Sequence, residues 1–308
     1  MSRRVIVVGA GVVGLTCAVQ LAETTDVMVD VLARDLPGEN ASALGPVPWL
    51  PPPARLGAES AAWARRTRER LCALTGGDVD SAPGASSGGL GGALSGVTMR
   101  PGRLFSDGSD AAPQSVSAPV VDPAVYLRHL AQRLFSAGGT LTRMSLPALP
   151  QRGLVINCSG LAARGLAGDD QVAPWRWQYL RVSDPGLREW LADDHLYVVP
   201  DGGTVALAGD DEPGDDEAHP DGSGLLRRAA RLEPRLAGAR VLTHRSALRA
   251  LRPGVQLSVR HEPDRTVLHC YGHGSAGISL SWGCAEEVAR RVTAVLAEAA
   301  APEQHGLW

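Results

Sequence analysis

The sequence predicts an α/β protein of two interleaved parts, and three observations predict it. A strand, a glycine-rich turn, a helix and a second strand follow one another between Arg4 and Asp35. A second glycine-rich loop lies between a strand and a helix near the other end of the chain. In the middle, a short apolar run at Leu154–Asn157 leads into Cys158-Ser159-Gly160, with unrelated material on either side. Pieces of one unit at both ends and in the centre describe a discontinuous domain rather than two domains in series.

The elements follow in order. Residues 4–9, Arg-Val-Ile-Val-Val-Gly, are a β-branched run suited to a strand buried on both faces. Gly9-Ala10-Gly11-Val12-Val13-Gly14 comes next, and apolar residues recur at helical spacing from Leu15 to Glu23. The β-rich run Val27–Leu32 closes at Ala33-Arg34-Asp35, which completes the βαβ unit of a Rossmann-type sheet. Residues 38–57 are rich in Pro and Gly around Trp49. Ala58–Leu74 reads as a helix with arginines on its outer face, and Ser81–Gly96 as a Gly/Ser/Ala-rich loop. Over Val120–Phe135 an amphipathic helix is opened by Asp122-Pro123, an N-cap followed by proline at the first helical position. Gln178–Gly209 holds several short β-rich runs, and Asp210–Asp221 is an acidic loop. Val267–Tyr271 is a strand, followed by a glycine-rich loop and a helix from about Ala285 to Ala300.

Composition excludes several chemistries. The chain has 308 residues and contains no lysine, so all 30 residues counted as Lys+Arg are Arg, against 33 Asp+Glu. Without lysine there is no Schiff-base aldimine, no P-loop lysine and no lysine general base. A net charge of -3 makes no electrostatic case for nucleic acid. Five scattered cysteines with no C-x-x-C pair suggest reduced, buried thiols and no metal site. No segment resembles a signal peptide or a membrane span, so the expectation is a soluble, cytoplasmic protein.

Gly9-x-Gly11-x-x-Gly14 sits where a dinucleotide motif must sit, between a first strand and a first helix. Gly9 permits the tight turn, Gly11 lets backbone approach a pyrophosphate, and Gly14 allows close helix–strand packing; Val12 and Val13 begin the helix whose N–H groups face the phosphates. Asp35 is the acidic candidate for the ribose hydroxyls, with Arg34 beside it as the competing residue. Gly272-His273-Gly274-Ser275-Ala276-Gly277 is a second match. It reads either as a separate nucleotide site or as a strand–loop–helix returning to the first cofactor, and the missing second acidic partner favours the return loop. His273 is either a general base or a hydrogen-bonded spacer. Arg249 and Arg252 sit among apolar residues, where an arginine is either a carboxylate clamp in a cavity or half of a surface ion pair.

Together these segments resemble the D-amino-acid oxidase family of flavoproteins. The resemblance is carried by Val5–Leu15, Ser117–Asp122, Val155–Arg164, Arg249-Ala250-Leu251-Arg252-Pro253 and His269–Cys284, in the family's order and over nearly the whole chain. It implies non-covalently bound FAD held by Gly9, Gly11, Val12, Val13, Gly14, Arg34, Asp35, Ser42, Ser159 and Gly160, with Gly274, Ser275, Ala276, Gly277, Ile278 and Ser279 along the flavin ring. It also implies an FAD-binding domain of residues 1–45, 136–166 and 265–308, interleaved with an α+β substrate-binding domain of residues 46–135 and 167–264 built on an antiparallel sheet.

In such an enzyme Arg249 would grip the substrate α-carboxylate, Tyr197 would donate a second hydrogen bond to it, and the Ser275 carbonyl would accept from the α-amino group. Hydride would leave Cα for flavin N5, giving imino acid and then 2-oxo acid and ammonia, with molecular oxygen as acceptor and hydrogen peroxide as by-product. The implied partners are a small amino acid and oxygen, and a homodimer is compatible with the family. Three departures stand out: Pro46 and Pro48 in the stretch after the second strand, Trp177 in Arg176-Trp177-Gln178 where glycine is usual, and Ser275 in place of a signature-loop glycine. They leave open an oxidase for a non-standard, N-substituted or hydrazino acid, or a flavin-binding protein without turnover.

Overall fold

The computed structural model describes residues 3–76, 94–106, 112–213 and 222–299. The predicted loop at Ser81–Gly96, apart from its last residues, and the acidic run beyond Pro213 lie outside them. Among the described residues the strands form one 13-stranded sheet. They are β1 (Arg3–Val8), β2 (Val27–Ala33), β3 (Val47–Pro48), β4 (Val97–Leu104), β5 (Gln114–Val121), β6 (Thr140–Arg143), β7 (Gly153–Asn157), β8 (Ala173–Ser183), β9 (Trp190–Ala192), β10 (Leu196–Asp201), β11 (Thr204–Pro213), β12 (Val241–His261) and β13 (Arg265–His273). Their spatial order is β3-β5-β4-β9-β10-β11-β8-β12-β13-β7-β1-β2-β6.

The sheet changes character along its width. From β13 through β7, β1 and β2 to β6 every pairing is parallel. Val5 and Val7 of β1 are fully buried, as a strand covered on both faces requires. From β13 through β12, β8, β11 and β10 to β9 every pairing is antiparallel. The 21-residue β12 joins the two parts, with an irregularity between Leu251 and Gln256 where its register against β13 shifts.

Helices cover the parallel part. They are α1 (Val12–Thr24), α2 (Ala58–Leu74), α3 (Pro123–Ser136) and the long α6 (Gly277–Glu298); α4 (Ala163–Leu166) is a single turn and α5 (Ser223–Leu232) lies against the antiparallel part. Helix α3 starts at Pro123, with Asp122 Oδ1 accepting the N–H groups of Ala124 and Val125; Val120 and Val121 close strand β5 instead of opening the helix. Helices α2 and α6 touch at Gly283, where a Cβ would lie 2.2 Å from the Trp63 Cα. There the Gly283 N–H donates to Thr67 Oγ1 at 3.0 Å, and the preceding residue, Trp282, donates through Nε1 to the Tyr126 hydroxyl at 2.6 Å.

Helix α6 begins at Gly277, a full two turns before the Ala285 onset expected from sequence. Ile278–Ala285 is buried all round, so no polar face marks the helical period there. A smaller apolar cluster under the antiparallel part, including Leu180, Val198, Leu207 and Leu225, packs that part against α5.

Candidate active site

A cavity of roughly 160 Å³ opens at the seam between the parallel and antiparallel parts. Its parallel wall is made of backbone. Gly9 turns the chain out of β1 at φ +110°, a conformation disfavoured for L side chains. A Cβ there would lie 2.4 Å from the Cys158 carbonyl oxygen, and one at Gly14 would lie 2.0 Å from the Gly9 carbonyl oxygen. These contacts let α1 start close against β1 and β7. The helix has no side-chain cap and no acidic residue in its first turn, and Gly11, Val12, Val13 and Gly14 line the cavity. Its N-terminal N–H groups and positive dipole end are therefore available to an anion. The loop after β2 closes over this turn: Asn40 Nδ2 donates to the Ala10 carbonyl at 3.0 Å, and Ser42 Oγ accepts a long 3.3 Å bond from the Val12 N–H.

The opposite wall is made of side chains on neighbouring strands. Arg249 of β12 pairs with Trp175 of β8, and Ala247 with Trp177, so Arg249 and Trp177 are diagonal neighbours on one face. The Arg249 Cζ lies 3.6 Å above the Trp177 ring centroid. Tyr197 of β10 shares that face through Ala208 and Tyr179, and its ring centroid is 5.4 Å from that of Trp177. Trp177 and Tyr197 are buried, and Arg249 and Tyr197 both line the cavity. Among the described residues Arg249 has no carboxylate partner. A stacked guanidinium keeps its edge free, and that edge matches a carboxylate in a bidentate pair.

Arg252, three residues on, has the other fate. Its Nε donates to Asp169 Oδ2 at 2.9 Å, and the Tyr271 hydroxyl donates to the same oxygen at 2.9 Å. Burial pushes the Asp169 carboxyl up, but these two donors hold it below its ordinary range. Burial, then the bond to Asp169, raises the Tyr271 phenol. Of the two sequence candidates for a clamp, one faces the cavity and the other is a structural ion pair.

The other expected residues divide in the same plain way. Gly160, Ser42, Gly274, Ser275, Gly277 and Ile278 line the cavity, with the Gly274–Ala276 turn running from β13 into α6. Gly9, Ser159, Ala276 and Ser279 stand behind that lining. Ser159 donates through Oγ to Asn157 Oδ1 at 2.6 Å, and Ser279 Oγ accepts from the Leu50 N–H at 3.4 Å. Arg34 and Asp35, at the end of β2, are outside the lining and engage each other at 2.6 Å. The Arg34 hydrogen bond holds the Asp35 carboxyl below its usual range despite some burial. His273 lines the cavity but turns its Nε2 toward Cys284 Sγ at 3.4 Å. Beside Asn157, which contacts it at 3.2 Å, His269 is pushed down by burial and is neutral at pH 7.

Val47, Leu161, Leu248, Ala250, Tyr271, Cys158 and Cys270 also belong to the lining, without having been expected there. Leu248 and Ala250 flank Arg249 in sequence. The cysteines carried no signal, because only the fold brings β7 and β13 together.

The chain has clear likenesses to known proteins. A family model described as FAD dependent oxidoreductase matches residues 4–86 and 100–291. The D-amino-acid oxidase of Rubrobacter xylanophilus is 39% identical over 95% of this chain and 97% of its own length. The D-amino-acid oxidase of Streptomyces coelicolor is 34% identical over 93% and 95%. Among solved structures, a glycine oxidase from Geobacillus kaustophilus superposes with a TM-score of 0.71 at 18% identity, covering 94% of this chain and 95% of its own.

Proposed function

The chain belongs to the FAD dependent oxidoreductase family, with FAD as its cofactor, and on that premise we propose that it oxidises a D-amino acid at the carbon–nitrogen bond beside the carboxylate. The residues present fit the cofactor. A glycine turn whose Cβ positions are filled by backbone, an uncapped helix N-terminus and a second glycine turn across the cavity suit a pyrophosphate and an extended dinucleotide. In this reading the parallel part of the sheet holds FAD, and the antiparallel part holds substrate.

Bound FAD supplies the two-electron acceptor for the Cα hydride. Everything else falls to the chain. Arg249 pairs with the substrate carboxylate through the guanidinium edge that Trp177 leaves open, and the Tyr197 hydroxyl donates a second bond. The Ser275 carbonyl accepts from the α-amino group, which fixes the Cα–H direction, and the substrate reacts with its amine neutral. Orientation then carries the rate, and no general base is required. That accords with a chain without lysine whose cavity histidine, His273, is turned toward a thiol. The products are an imino acid, hydrolysed to a 2-oxo acid and ammonia, and hydrogen peroxide when molecular oxygen takes the electrons.

The observation that carries this reading is Arg249 held over Trp177, with no carboxylate partner among the described residues, facing the glycine wall. Anaerobic mixing of the FAD-loaded protein with D-Ala, D-Met, D-Asp and glycine should bleach the flavin with at least one of them. The corresponding amino-acid amide, which lacks the carboxylate, should bleach it far more slowly. Equal rates for acid and amide would remove Arg249 from the mechanism, and a protein unable to retain FAD would remove the whole reading. Trp177 supports a second reading, since its buried indole sets where the Arg249 guanidinium lies: an N-substituted or otherwise non-standard amino acid as substrate. Bleaching by N-methyl amino acids with none by the simple D-series would favour it.

A further inference from the structure

Four of the five cysteines and one histidine meet beneath the parallel wall of the cavity, although they are scattered through the sequence. Cys17 comes from α1, Cys158 from the end of β7, Cys270 and His273 from β13, and Cys284 from α6. The sulfur atoms of Cys17, Cys158 and Cys270 lie within 4.8 Å of one another, and so do the ligand atoms of Cys270, His273 and Cys284, with Cys270 common to both groups. All five side chains are buried. We propose that this cluster is a binding site for a thiophilic divalent cation of the zinc class, with Cys270, Cys284 and His273 as its protein ligands.

Geometry and charge both favour that class. Tetrahedral zinc, with bonds of about 2.3 Å to sulfur and about 2.0 Å to nitrogen, sets its ligand atoms roughly 3.5 to 3.8 Å apart. The His273 Nε2 to Cys284 Sγ separation is already 3.4 Å. Two thiolates and a neutral imidazole cancel a divalent charge, so the assembly brings no net charge into the dry interior, whereas a lone thiolate there would be unpaired. The cation displaces two protons, one from each thiol, and no redox step is involved. Sulfur and imidazole ligands without a carboxylate exclude magnesium and calcium. Cys158, Cys270 and His273 border the cavity, which provides the route of entry.

Metal content of the FAD-loaded protein tests this directly. After zinc chloride is added before FAD, and FAD-loaded protein is then passed through a desalting column, elemental analysis should find about one zinc per chain in the wild type. Cys270→Ser and Cys284→Ser should each lower retention at least about 10-fold, while Cys72→Ser, at the thiol outside the cluster, should not. In case the serine variants do not fold, cadmium added to the wild type should produce a thiolate-to-metal charge-transfer band in the ultraviolet difference spectrum. A wild type that retains no zinc and gives no cadmium band overturns the proposal. So does a folded Cys270→Ser, Cys284→Ser double variant that binds zinc as the wild type does.

Discussion

The two walls of the cavity are made of different material. On the parallel side the lining is backbone: Gly11, the first residues of α1 and the Gly274–Ala276 turn, held close by Gly9 and Gly14. On the antiparallel side it is the side chains of Arg249 and Tyr197, with Trp177 packed against both, brought to one face by the register of β12, β8, β11 and β10. A wall of backbone has no room for an added atom, so its substitutions should act on fold and cofactor together. A wall of side chains can lose a member and stay standing, so its substitutions should act on chemistry alone.

The largest effect should come from Gly14→Ala. The new methyl would meet the Gly9 carbonyl oxygen at 2.0 Å, and neither partner can move without separating α1 from β1. Overpacking of this kind costs about 1–3 kcal/mol where a core can adjust, and backbone contacts adjust least. The expected outcome is loss of FAD retention and a lowered Tm, read from flavin absorbance after gel filtration and from thermal unfolding. A stable Gly14→Ala protein that keeps its FAD would erase the distinction between the walls.

Arg249→Ala should show the opposite signature. The expected loss in kcat/KM corresponds to about 2–5 kcal/mol, the range for truncating one partner of a desolvated charge pair, with flavin content and Tm kept. Steady-state kinetics on whichever D-amino acid bleaches the flavin gives the measurement. Unchanged kinetics would mean that the substrate carboxylate is held elsewhere.

Arg252→Ala distinguishes neighbours three residues apart. It would leave the Asp169 carboxylate with the Tyr271 hydroxyl and the Gln171 N–H as its remaining donors. An under-satisfied buried acceptor costs about 1–3 kcal/mol, so Tm should fall while kcat changes little. A kinetic defect as deep as that of Arg249→Ala, at unchanged Tm, would place Arg252 in the site.

The same difference in material explains what could be read before the structure. Gly9, Gly11 and Gly14 were readable because a backbone wall forces glycine at set spacing within one short segment. Asp122-Pro123 was readable because a cap is local. The onset of α6 at Gly277 was not, because burial on all sides removes the polar face that would reveal a helix. Strand β12 was unassigned for a related reason: it is half-buried along most of its length and shows no alternation. The Arg249–Trp177–Tyr197 face is assembled from three stretches far apart in sequence, so apolar flanks marked Arg249 only as one of two candidates with Arg252, and family resemblance alone pointed to Tyr197. The role of Trp177 under the guanidinium had no sequence signal beyond its being an unusual residue there.

The smallest effect belongs to the seam itself. Glu287 of α6 accepts from Arg290 and from Arg291, and Arg291 also donates to the Leu257 carbonyl of β12 at 2.9 Å, tying the helix to the strand that joins the two parts. The Arg290 hydrogen bond leads in holding the Glu287 carboxyl down, at about 2 instead of 4.5, against the opposing effect of burial and with Arg291 adding to it. A carboxyl with a depressed folded-state pKa contributes its full stabilisation above its unfolded pKa and loses it as pH falls toward the folded one. The contribution of Glu287 is therefore complete at neutral pH and disappears between about 4.5 and about 2. Glu287→Gln should lower Tm at pH 7, and the gap to wild type should close as pH is lowered through that window. Because Arg290 is exposed and solvent screens the pair, the gap at pH 7 should be small, within about 1 kcal/mol. A gap that persists unchanged to pH 2.5 would mean that Glu287 acts through its shape and its hydrogen bonds rather than through its charge, and that the seam is held by packing of α6 on β12.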